Sequence, residues 1–426
     1  MTDEISNSRL GFLRRNRRDY SVHQRPAGKT CGERMCEREL LQTVLLLIIS
    51  YLNVYDDEEE DDSASLYLDL TLLCIMDILR INQPRLLVPR PVPHMKVSFD
   101  SFYSTEYDRL FGFNKEDVQL LHQALEFPLY LIIGEGSHSF QVDSCHCFLY
   151  LLYRLHSPSQ RQTLDQQVFC YDYSSLSRIF NETTEFIDDN YSSHLRNLHQ
   201  IVHKFQMFNE VIISKMNDLY PGEPLPGDCL HCALFADGVR FRVSRPSGPF
   251  WVQKVVFSGD KWYHNQGSLA VTGPDGIIYD WYDIPVGKYN DKHFLADSGI
   301  NNLMESLQAN HIIKYWIYSD RGFDNSSCVR SAAHGPAYVS PAQKVDNHKM
   351  SRERITEEWC FAKVKNLFPF TTRPNLLKLQ LVDVAAYIRV AVFLTNCHTC
   401  INQSETGLYF NCLAPSLHEY LQMFMV

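Results

Sequence analysis

Asp237 lies inside the most apolar strand candidate of the chain, 232–243, directly after Ala233, Leu234, Phe235 and Ala236. Asp320 follows the apolar run 312–319 and precedes Arg321-Gly322-Phe323. Two adjacent acids, Glu357 and Glu358, fall in a helical pattern over 352–367, among Ile355, Trp359, Ala362 and Val364. A carboxylate at a strand end projects where α/β proteins build their sites. Hard divalent cations choose oxygen ligands, and Mg²⁺ keeps several of its waters, so a few carboxylates hold it. Two such cations roughly 4 Å apart activate an attacking oxygen and stabilise a leaving one in phosphodiester chemistry. Asp320 comes 83 residues after Asp237, and Glu358 comes 38 after Asp320. Spacing alone selects little, because the chain holds 50 acidic residues. The competing reading is a salt-bridged strand-end Asp and a surface Glu, and pattern alone does not separate Glu357 from Glu358.

The elements that must position these groups form a mixed layer. Strands are expected at 232–243, 252–257, 267–272 and 277–282, the last two joined by the turn Gly273-Pro274-Asp275-Gly276. A helix over 291–308 and a buried parallel strand over 312–319 complete an α/β arrangement. Upstream, 66–81, 140–155 and 193–217 repeat apolar residues at three and four, the helical spacing. Another helix is capped in Asp172-Tyr173-Ser174-Ser175, with Ser174 or Ser175 suited to the N-cap, and runs through Leu176, Ile179, Phe180 and Ile187. It could be the second helix of a helix-turn-helix. Glu182, Glu185, Asp188 and Asp189 would repel phosphates there and Arg178 is its one cation, so plain helical packing is the better reading. Two glycines and three prolines in 221–227 mark the clearest boundary. The expected organisation is a basic then acidic arm at 1–63, a helical domain at 64–220, an α/β domain at 228–400 and a tail at 401–426.

The chain has 426 residues, 45% hydrophobic and 21% charged, which suits a globular protein of two or three domains. Its net charge of −10 argues mildly against strong non-specific DNA binding. Thirteen scattered cysteines and a polar, then basic, beginning without a secretory pattern point to reduced thiols in cytosol or nucleus. The apolar run 40–52 falls short of the roughly 20 residues a membrane span needs, so it reads as a buried helix and no membrane partner is expected. Arg14, Arg15, Arg17 and Arg18 form a basic cluster, either an import or phosphate contact or a solvated tail. The seven acids at 56–62 repel one another and read as a loop. Cys229 and Cys232, with Cys397 and Cys400, could make a four-thiolate zinc site. The pairs lie 165 residues apart, and reduced structural thiols are the default. Lys254, Lys261, His264, Lys288, Lys292 and Lys349 could face phosphates, yet most such charges are simply solvated, and they receive no role.

The local sequences add a resemblance. Ala236-Asp237-Gly238-Val239-Arg240 with Arg245-Pro246, then Gly287-Lys288-Tyr289-Asn290-Asp291, then Asp320-Arg321-Gly322-Phe323, and finally Arg354, Glu358, Phe361 and Lys365 occur in order. Together they resemble the blocks of PIF/Harbinger transposases, of the DDE superfamily, and of their nuclease-like derivatives. The 384–396 segment and Pro415-Ser416-Leu417-His418-Glu419-Tyr420-Leu421 resemble that family's closing helix and tail. The resemblance covers about 230–421 and more loosely the helical region from about 140. Val239 stands where the family usually has Thr, and Ala362 where it has Gly; neither removes a ligand. The resemblance implies an RNase H-like core behind a mainly helical N-terminal domain. It implies Asp237, Asp320 and Glu358 as the catalytic, metal-binding triad, with the final register choosing Glu358 over Glu357. Asp291 matches a recurrent family Asp and is an added metal ligand or a helix cap. Mg²⁺ or Mn²⁺ would be the cofactor. The partners would be DNA (terminal inverted repeats and target), an accessory DNA-binding protein and further copies of the chain, in the nucleus. A domesticated binding module with silent chemistry is the alternative.

Overall fold

The computed structural model describes residues 97–423 except 137–138, 159–161, 248–249, 285–290 and 333–338, and it leaves the side chains of 162–164, 284 and 291–294 undescribed. The expected helices at 40–52 and 66–81, the arginine cluster and the acidic run lie outside the described residues. Val92–Val426 forms one compact unit. The prolines and glycines of 221–227 therefore make a loop within that unit, because the helices before it and the strands after it share one hydrophobic core.

Eight strands are described: β1 Tyr130–Ile133, β2 Phe140–Asp143, β3 Cys232–Arg242, β4 Phe257–Ser258, β5 Tyr263–Thr272, β6 Ile278–Ile284, β7 Trp316–Ser319 and β8 Val329–Ser331. The α-helices are α1 Tyr107–Phe111, α2 Lys115–Ala124, α3 Ser144–His156, α4 Gln162–Phe169, α5 Tyr173–Tyr191, α6 Phe205–Leu219, α7 Phe250–Val256, α8 Asp291–Ser298, α9 Ile300–Leu307, α10 Pro341–Leu367, α11 Val384–Asn402, α12 Glu405–Phe410 and α13 Leu417–Gln422. The main sheet runs β4-β5-β3-β7-β8, with β6 also paired to β5. β3 is antiparallel to β5 and parallel to β7, and β7 is parallel to β8. The first five residues of β3 are buried without alternation, as a strand covered on both faces requires. α6 and α10 both pack against β3.

α11 is long and apolar enough to cross a membrane, but 78% of its best window is buried inside the unit. It is the central core helix: Tyr387 donates to Asn181 at 2.5 Å, and Asn396 both donates to the Ile278 carbonyl at 2.8 Å and accepts from the Ile278 amide at 3.0 Å. Those last two bonds satisfy backbone groups of β6 that would otherwise be left unpaired.

Several elements differ from expectation. Residues 140–143 are β2, and Asp143 then caps α3 by accepting from the Cys145 amide. The expected strand at 252–257 is α7 followed by the two-residue β4. Val252, Val255 and Val256 fit a helical turn as well as a strand, and Val256 is buried while Phe250, Trp251 and Lys254 face outward. The expected helix 291–308 breaks into α8 and α9 at Gly299, whose φ of +71° suits glycine. β7 begins only at Trp316, where pairing with Cys232 begins; Ile312 and Ile313 are exposed. α10 starts eleven residues before the expected 352, at a Ser340/Gln343 capping box with Pro341 in the first turn. α5 starts at Asp172, which accepts from the Ser175 amide. Ser175, Leu176, Ile179, Phe180, Thr183, Thr184 and Ile187 all point into the core, so α5 is built for packing.

Candidate active site

β3 carries Asp237, and the parallel register pairs Ala236 with Ser319. One residue further along, Asp320 leaves the end of β7 beside Asp237, which stays in β3 opposite Ala270, as neighbouring strands lie about 4.8 Å apart. Asp237, Val239 and Phe241 share one face of β3 by the two-residue period. α10 lies over that face: Lys365 sits 5.6 Å from the centre of the Phe241 ring, and Arg354 donates to Asp237 at 3.1 Å. Arg354, Glu358, Phe361 and Lys365 recur at helical spacing and so form one face of α10. Arg354 also reaches Glu358 at 3.6 Å. The Asp237 carboxylate accepts from the Gly238 amide at 2.8 Å, and that of Asp320 accepts from the Arg321 amide at 2.7 Å. A Phe323 amide bond to the Asp320 carbonyl closes the turn, with Phe323 buried beneath it.

Asp237 and Glu358 thus pair with one guanidinium, which also feels the charge of Asp320. Burial works against the charge of Arg354, but Asp237, Glu357, Asp320 and Glu358 outweigh it and hold the guanidinium above its usual pKa. Asp291 contributes only backbone to this description, at the start of α8; its side chain and residues 287–290 lie outside the described residues.

Two further groups belong to the cluster. Glu357 is completely buried and neither carboxylate oxygen has a hydrogen-bond partner. Burial first, and the Asp237 charge second, push its carboxyl well above the ordinary range, against Arg354 and the Asp237 backbone, which lower it. Tyr318 sits two residues before Asp320, with a buried hydroxyl that has no partner; burial raises it. The signals for both were legible. Tyr318 shares a strand face with Asp320, and Glu357 falls on the apolar phase of α10 with Met350, Cys360, Phe361 and Val364.

The donor set has the chemistry for hard cations: among the described residues Asp237, Asp320 and Glu358 lie about Arg354, with Glu357 buried behind Asp237. The spacing is that of an arginine-bridged site. Among the described residues, no three His, Cys, Asp or Glu side chains are gathered closely enough to hold a metal ion. The same holds for zinc at the cysteine pairs. Cys229, Cys232, Cys397 and Cys400 are buried, and burial pushes Cys229 up to about 12 and Cys397 well above its usual value, so they are neutral thiols.

Residues 236–396 match the family model of the DDE superfamily endonucleases. No curated protein and no solved structure matches the chain. The matched stretch opens one residue before Asp237, contains Asp320, Arg354, Glu357 and Glu358, and ends in α11 at Asn396. The mixed sheet with flanking helices is consistent with a DDE nuclease fold, and the DDE match suggests a nuclease or transposase type of function.

Proposed function

We propose that this chain is a metal-dependent DNA endonuclease of the transposase type, close to the PIF/Harbinger group, with β3, β5, β6, β7 and β8 as an RNase H-like core. The observation that carries this reading is the placement of Asp237 beside Asp320 on two parallel strands, under a helix whose Arg354 pairs with Asp237 and Glu358. Asp237, Asp320 and Glu358 would hold Mg²⁺ or Mn²⁺, which lowers the pKa of bound water and neutralises charge on a phosphodiester. Asp291 is a further ligand in this reading. Arg354 keeps the facing carboxylates oriented, and Glu357 lies buried behind Asp237. The overall reaction is cleavage of a DNA strand followed by attack of the freed 3′-hydroxyl on target DNA. The substrates would be terminal inverted repeats and a target duplex, the location the nucleus, and the working form an oligomer assisted by a DNA-binding partner.

A second reading has one observation in its favour. The arginine-bridged geometry, with no three ligands gathered among the described residues, suits a domesticated module that binds DNA or protein without cutting. Purified chain with Mg²⁺ or Mn²⁺ and its own terminal-repeat DNA separates the two. The nuclease reading expects nicking or cleavage, reduced about a thousandfold or more in Asp237→Ala. Full cleavage by that variant, or none by the wild type, overturns it.

A further inference from the structure

The chain is acidic overall, yet the segment from Arg240 to His264 is not. It holds Arg240, Arg242, Arg245, Lys254 and Lys261 against the single acid Asp260, four positive charges net in a chain of −10. Asp260 pairs with Lys261 at 3.4 Å. Among the described residues Arg242, Arg245 and Lys254 form no ion pair; Arg245 donates to the Gln253 amide oxygen, and Arg242 lies over the Tyr263 ring at 5.7 Å.

The same segment holds both exposed tryptophans among the described residues, and an exposed phenylalanine. Phe250 is 76% exposed, Trp251 67% and Trp262 83%, with Val255 beside them. Each such side chain left in water forgoes about 1.5–3 kcal/mol of burial, in a protein whose core is otherwise extensive. α7 packs against β5, and Arg245 bonds Gln253 of α7; exposed apolar side chains in such numbers mark an interaction site. Trp262 also sits at φ +59°, at the end of the loop joining β4 to β5. A bulky residue in the left-handed region is strained, and here the strain holds the indole outward.

Aromatic faces interleaved with unpaired arginines and lysine match one ligand chemistry best. Bases stack on exposed rings, and cations follow the phosphates. Only unpaired nucleotides offer their faces for stacking. We propose that Trp251 and Trp262, with Arg242, Arg245 and Lys254, seat single-stranded DNA. Arg242 follows Asp237 on β3 by five residues, about 17 Å along the strand and on its opposite face, so the seat is distinct from the carboxylate site. This seat rests on the nuclease reading for its role, while its binding needs no metal and no cleavage.

The test uses the full chain without metal, a fluorescently labelled oligothymidylate, and a duplex of equal length. The expected result is tighter binding of the single strand, with quenching of tryptophan fluorescence. Trp251→Ala and Trp262→Ala should each weaken it five- to a hundredfold. Arg242→Gln with Arg245→Gln should flatten the salt dependence by about 0.7 per lost phosphate contact. Both tryptophans are exposed, so unchanged thermal melting will verify folding. Wild-type affinity in both tryptophan variants, or equal affinity for the duplex, overturns the proposal. So does tryptophan-dependent binding of phosphatidylserine vesicles without binding of the oligonucleotide, which would mark a membrane surface instead. Single-strand binding with no cleavage under any metal would remove the nuclease reading and leave the seat standing.

Discussion

Two arginines in this unit each hold a pair of carboxylates, and they do so differently. Arg389 on α11 grips Asp188 through two nitrogens and Asp283 through a third. Asp283 also accepts from Ser268 at 3.2 Å and from the Trp281 indole at 2.9 Å. Close, two-pronged contacts of this kind are the strong form of an ion pair. Arg354 makes longer contacts, of 3.1 and 3.6 Å, to Asp237 and to a Glu358 that is mostly exposed. It also feels two more acids, Asp320 and Glu357. One centre is saturated and ties α5, β6 and α11 together. The other gathers Asp237, Glu358, Asp320 and Glu357 about Arg354 among the described residues, through longer contacts. An excess of carboxylate over local charge is what a protein keeps for something it has yet to bind, and perturbed acids of this kind cluster at functional sites.

The comparison predicts unequal costs when each arginine is removed. Arg389→Ala strands two partly buried carboxylates and should cost about 3–5 kcal/mol of stability in urea unfolding. Arg354→Gln removes long contacts, one to an exposed acid, and should cost no more than about 1–2 kcal/mol. Equal losses would mean that Arg354 is as structural as Arg389, and the contrast between the centres would fail.

The excess acid itself can be titrated. A carboxyl whose pKa is raised in the folded state binds more protons folded than unfolded. Stability is then lost as pH rises from the ordinary Glu value through the folded value, and is regained on acidification. Glu357→Gln should therefore be more stable than wild type at pH 8, by about 1–3 kcal/mol for an unsatisfied buried group, with the gap closing near pH 4.5. Glu353, raised to about 7 by its burial, slopes in the same direction in both proteins and cancels from the difference. A gap that does not change with pH would show that Glu357 is not the source of the excess.

Much of this was legible in the residues, and the missing parts have physical reasons. Asp237 and Asp320 could be picked because apolar runs end at them, and β3 and β7 bring them together. Glu358 needed the Arg354–Phe361–Lys365 register, since two adjacent acids look alike until the phase of the helix is known. That phase, about 100° per residue, buries Glu357 and turns Glu358 outward. The segment 252–257 was read as a strand because its apolar run, with valines one, three and four apart, does not exclude either period. Its outward-facing Phe250 and Trp251 follow only from the helix. The register of the parallel pair, and the grip of Arg354 across 117 residues of sequence, come from packing and had no local signal.

The smallest predicted effect separates the centres most cleanly. Anything that binds the native state alone stabilises it, by about 1.4 kcal/mol at ten times its dissociation constant. Mn²⁺ should produce a shift of this order through the Arg354 centre, because surplus oxygen ligands remain there once the guanidinium gives way. It should produce none through the Arg389 centre, where every acid is already matched. Asp237→Asn should abolish the shift, while Asp283→Asn should lower overall stability and leave the shift intact. If Asp237→Asn retains it, the cation sits elsewhere. If the wild type shows no shift at millimolar Mn²⁺, Arg354 is a permanent counter-ion, the two centres are alike in function, and the silent binding module becomes the better account of the fold.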